Sequence, residues 1–149
     1  MLRSIVAVVA TYIVMSVLIV GAFMGLWFGL GPDRLLLPNS WKGNLLLCIA
    51  APAITVLAGL FGGWMCAKIS RGRKPVIVLA GLVFVLGMIV AYSTLQKPFP
   101  ADPREPGLTM QQLMEKGREP TWLALLNPII GAAAVLAGGW CVGCPRKTA

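Results

Sequence analysis

The sequence predicts an all-α fold, an integral membrane four-helix bundle assembled from two duplicated transmembrane hairpins. Composition points there first. Of 149 residues 58% are hydrophobic and only 12% charged, against about 25% charged in a soluble domain. Patterning is the second observation. Runs 4–30, 45–67, 75–96 and 121–145 contain no Asp, Glu, Lys or Arg, and each is at least as long as the ~20 residues that cross a bilayer as a helix. The third is a repeat: PAITVLAGLFGGWMC, from Pro52, returns as PIIGAAAVLAGGWCV, from Pro128.

The first span is expected at 4–30. Met1-Leu2-Arg3 resembles the basic start of a cleaved signal peptide. The apolar run behind it is roughly 27 residues, however, where such a peptide has about 7–15, so a retained span is expected. Gly31-Pro32 ends it. Gly21, Gly25 and Gly29 recur every four residues; that spacing gathers them on one face and suits close approach of another helix. A short loop, 31–44, follows with Pro32, Pro38 and Trp41. Trp27, Trp41, Trp64, Trp122 and Trp140 all fall near span ends, as interfacial anchors would.

The second span, 45–69, carries Pro52, Thr55, Gly59, Gly62, Gly63 and Cys66, and the third covers 75–96. The long loop 97–120 begins with KPFPADPREPG, whose four prolines forbid a helix. TMQQLMEKG then offers Thr109 as N-cap, Gln112 three residues on and Gly117 as a stop. Met110, Leu113 and Met114 would lie on one side of this short amphipathic helix, expected at the outer membrane surface. The fourth span is expected at 121–142.

A shift of 76 residues aligns the two motifs. Seven of the 13 positions from Pro52 to Trp64 are identical in the second copy, among them Pro52/Pro128, Gly62/Gly138, Gly63/Gly139 and Trp64/Trp140. The units are 1–70 and 71–149. Each has an even number of spans, so both enter the membrane in one orientation, related by a pseudo-two-fold axis along its normal. Helices two and four become equivalent and are expected to face one another through small-residue stripes: Thr55, Gly59, Gly62 and Cys66 on one, Gly131, Ala134, Gly138 and Cys141 on the other. Gly63 and Gly139 flank these stripes. Pro52 and Pro128 permit kinks. Packing is the first reading of these faces; a path for a solute between kinked, glycine-lined helices is the second.

Charge predicts orientation. Arg3, Lys68, Arg71, Arg73, Lys74, Arg146 and Lys147 share one side without an acid, while six Lys/Arg and all five Asp/Glu occupy the other. KISRGRK concentrates four positive charges beside two span ends, so both termini are expected in the cytoplasm. The formal charge of +8 is that of a basic membrane face, and no nucleic-acid partner is expected.

Several chemistries are missing. The chain has no His, which removes imidazole metal and haem ligation. No charged residue lies within a span, and proton or cation couplers keep one there; small four-helix multidrug exporters use a Glu in that position. Nucleophile–base pairs for hydrolysis are lacking too. No catalytic residue and no cofactor are expected. Cys66, Cys141 and Cys144 form the remaining candidate set, a C-x-x-C plus a third thiol at similar depth, able in principle to hold a metal or switch a disulfide. Quinone-reducing membrane thiol oxidoreductases also need a second cysteine pair in an outer loop, and no outer loop here has a cysteine.

The opening Arg3-Ser4-Ile5-Val6-Ala7-Val8-Val9-Ala10 and the Gly62-Gly63-Trp64 near the end of the second span resemble those of small four-helix bacterial inner-membrane proteins without assigned activity. The resemblance implies a fold and a location, the bacterial plasma membrane, but no chemistry. The expectation is therefore a non-enzymatic scaffold or accessory subunit in the lipid bilayer, packing against itself or a larger membrane complex. A small dimeric channel or transporter for a neutral or apolar solute, and a thiol-based redox or metal protein, are the alternatives.

Overall fold

The computed structural model describes residues 2–37, 41–97 and 120–142. The expected amphipathic helix at 109–117 lies outside them, as does Cys144. The described residues form helices α1 (Leu2–Leu30), α2 (Pro32–Leu35), α3 (Leu45–Ser70), α4 (Arg73–Gln96) and α5 (Thr121–Cys141). All but α2 are long and apolar enough to cross a membrane. Their outward faces keep large apolar side chains exposed, Val17 at 65% and Phe28 at 80% among them. That suits lipid, which solvates such groups as well as a core does.

The helices stop where local chemistry stops them. Gly31, at φ 74°, takes the left-handed conformation that costs glycine little, and its N–H donates to the Trp27 carbonyl at 3.0 Å. Pro32 then starts α2, where a missing N–H costs nothing. Asn44 caps α3, its side-chain oxygen accepting from the Leu45 N–H. At the other end Arg71 adopts φ 54° and its N–H closes on the Ala67 carbonyl at 2.9 Å. The Arg3 side chain donates from Nε to the Ile69 carbonyl at 2.9 Å. That bond ties the start of α1 to the end of α3 and sets a cation on a helix C-terminus.

The loop between α2 and α3 departs from the sequence expectation for Trp41. Leu36 and Gly43 pair in an antiparallel bridge, the Leu37 N–H donates to the Lys42 carbonyl at 3.0 Å, and the Asn44 N–H donates to the Leu35 carbonyl at 2.8 Å. The backbone thus folds on itself and buries Leu35, Leu36 and Trp41, the last to 3% exposure. Trp41 is a packing residue of the bundle end. Trp64, Trp122 and Trp140 do stay exposed, and Lys68 sits over the Trp64 ring, 4.3 Å from its centre.

In the bundle α3 and α5 pack most extensively against each other, α1 lies along α3, and α4 lies along α5. α4 also touches α1 and α3, whereas α1 and α5 form no extended contact. The main core sits toward the end holding the start of α1: Ala7, Val8 and Met15 from α1, Cys66 and Ala67 from α3, Val76, Leu79 and Ala80 from α4, and Val135 from α5.

Candidate functional site

Two features stand out, a closed seam and an open cavity. The seam joins α3 to α5 and is built from glycine. A Cβ placed on Gly59 would come within 2.7 Å of the Ala134 Cβ and 3.1 Å of the Gly131 carbonyl. On Gly63 it would strike the Val135 carbonyl and lie 2.8 Å from the Gly139 nitrogen; on Gly138 it would strike the Leu60 carbonyl. Backbone therefore meets backbone, an approach only residues without side chains allow. Gly131 faces the Thr55 methyl at 3.2 Å. Thr55 and Gly131, Gly59 and Val135, and Gly63 and Gly139 each lie 76 positions apart and each meet across the seam. The two helices therefore run parallel and in register.

The remaining glycines of the motif serve flanking contacts. Gly62 makes room for the Met15 thioether of α1, and Gly139 for the Val76 side chain of α4. Gly87, on α4, abuts the Pro128 ring, whose Cβ lies 2.9 Å from a Cβ placed there. Gly21, Gly25 and Gly29 behave otherwise: among the described residues nothing lies within 4 Å of a Cβ at any of them. No described residue covers their face of α1.

The cavity occupies the gap that α1 and α5 leave between them. It measures about 710 Å³ and runs along α4 from Val83 to Lys97, reaching Thr55 of α3 at its deep end. The fourteen residue steps from Val83 to Lys97 rise about 21 Å at helical pitch, roughly two thirds of a bilayer's ~30 Å hydrocarbon core. Met15, Ile19, Leu86 and Val90 make its walls apolar. Ser16, Thr55 and Thr94 also line it, but each hydroxyl donates at 2.9 Å to a carbonyl one turn back on its own helix, those of Tyr12, Ala51 and Val90. Their protons are satisfied within the helix.

The end near Lys97 is the charged one. Lys97, Thr94, Ala124 and Asn127 gather there. Pro128 has no N–H to offer the Ala124 carbonyl, so that carbonyl lacks its usual donor one turn on. Lys97 is the only charged side chain among the described lining residues. The opposite end is shut by the core cluster, against which Tyr12 and Val83 pack.

The thiols lie in different surroundings. Cys66 is buried within the core and Cys141 is exposed at the end of α5. Among the described residues no three His, Cys, Asp or Glu side chains are placed to hold a metal ion. Sequence reasoning passed over Gly87, Tyr12, Ser16, Thr94 and Lys97. Their only signal was polarity or missing bulk at isolated points on apolar helices, which becomes a pattern once α1, α4 and α5 are set around one space.

Compared with known proteins, the chain matches no family model, no curated protein and no solved structure.

Proposed function

We propose that this is a non-enzymatic polytopic protein of the bacterial inner membrane, a scaffold or accessory subunit that presents the glycine face of α1 to a helix of a second copy or of a larger membrane complex. The observation that carries the reading is the contrast among glycines. Those of α3 and α5 are used within the chain, whereas Gly21, Gly25 and Gly29 stand open at the four-residue spacing that suits close helix approach. Both termini and the Ser70–Lys74 turn face the cytoplasm in this reading, supported by the basic density of that side. The bundle is two duplicated hairpins, 1–70 and 71–149. What supports the duplication is the contact of residues 76 apart along one seam, because residues on a two-fold axis meet their own equivalents.

A conducting path is the weaker reading. The α3–α5 seam is occupied by backbone in contact, and a route continuing from the cavity would have to cross the packed core around Cys66 and Val135.

The test is Gly25→Leu. No described atom lies within 4 Å of a Cβ at Gly25, so the monomer is expected to fold unchanged. Association in mild detergent, read as co-purification of a stoichiometric partner or as hydrodynamic size, should weaken by about fivefold or more, since overpacking a close interface costs roughly 1–3 kcal/mol. Unaltered association would end the proposal. Cys141→Ser with Cys144→Ser is expected to leave association and metal content unchanged; a change in either would restore the thiol reading.

A further inference from the structure

We infer that the cavity between α1, α4 and α5 is a binding site for an anionic phospholipid, with one acyl chain lying between the helices and the phosphate held by Lys97.

Shape comes first. The cavity is elongated: its volume of about 710 Å³ runs beside α4 for about 21 Å, from Val83 to Lys97. That is a slot for a chain rather than a chamber for a compact solute. It follows the membrane normal, as a lipid chain does, because its long dimension is the length of α4 from Val83 to Lys97. The absence of extended contact between α1 and α5 gives the chain a lateral way in from the bilayer.

Surface chemistry agrees. Met15, Ile19, Leu86 and Val90 offer alkyl and thioether contacts. The hydroxyls of Ser16 and Thr55 direct their protons to their own helices, so an acyl chain can lie against them without stranding a donor. Tyr12, Ser16 and Thr55 bring hydroxyls toward the closed end, but among the described lining residues charge lies at one end only, where Gln96 and Lys97 close α4, which is the level of lipid head groups. Among the described residues no acid lines the cavity, and the one charged lining residue, Lys97, is positive. The complementary head group is therefore anionic. A lysine binds a phosphate as a point charge, tolerant of the surrounding ester geometry.

The protein, reconstituted into phosphatidylcholine bilayers with and without phosphatidylglycerol, is re-extracted in mild detergent and its retained lipid identified by mass. Wild type is expected to retain phosphatidylglycerol over phosphatidylcholine. Lys97→Gln should reduce that preference about fivefold, the factor corresponding to one cation near a membrane surface. Ser16→Phe and Ala124→Phe, which fill the slot at its middle and its mouth, should abolish retention of both lipids while leaving the helical spectrum intact. Two such variants guard against one that fails to fold. Equal retention of the two lipids by wild type, retention unaffected by Lys97→Gln, a free fatty acid in place of the phospholipid, or filled variants that still retain lipid would each overturn the assignment.

Discussion

At Gly63 a Cβ would collide with the Val135 carbonyl across the α3–α5 seam, whereas at Gly81, on α4, no described atom lies within 4 Å. Both glycines sit inside membrane-length helices with the same local sequence cost, so the difference between them is entirely tertiary. Gly63→Ala is expected to destabilise the bundle by at least about 1–3 kcal/mol, through helix separation or strained backbone. Gly81→Ala should stay within about 0.5 kcal/mol of wild type. Reversible unfolding in mixed micelles, followed by tryptophan fluorescence, measures both; equal losses would mean that the seam is not the close contact described. Gly138, set against the Leu60 carbonyl, should behave as Gly63 does.

Among the elements, the loop joining α2 to α3 carries more than its length suggests. Its backbone bridge between Leu36 and Gly43 seats Trp41 and two leucines at one end of the bundle. Trp41→Ala is expected to cost roughly 3–5 kcal/mol, the range for truncating a buried aromatic. The same change at Trp140, 67% exposed, should cost little in detergent; the midpoint of thermal unfolding compares the two. α4 and α5 depend in turn on Gly87 beside the Pro128 ring. Gly87→Leu should drive them apart, read as lost disulfide cross-linking between cysteines placed on the two helices, and persistence of the cross-link would refute the contact.

Over the whole molecule, the open α1 face and the cavity lie at separate places, so their effects should be separable. Gly25→Leu is expected to weaken association and leave lipid retention alone; Lys97→Gln should do the reverse. If either variant moves both readouts, the two features are one site. Orientation is tested in a cysteine-free background by Ser70→Cys and Thr109→Cys. An impermeant thiol reagent applied to intact cells is expected to label only the second.

Much of this was legible in the residues themselves. Four charge-free runs of span length determine four helices because an unpaired peptide group in lipid costs several kcal/mol, and that constraint acts on each run without reference to its neighbours. The end of the first span followed for the same local reason: Gly31 and Pro32 act on the backbone beside them. Which glycines are packed, where Trp41 points and which three helices surround a cavity depend on how the helices are set around one another. Periodicity alone offers Gly25 and Gly63 as equal candidates, since lipid and protein present similar apolar surroundings and no polarity difference marks the inward face. Only the tertiary arrangement, with α3 against α5 and α1 held away from α5, decided that one glycine face is closed, another is open, and a lysine at the end of α4 stands at the mouth of a slot.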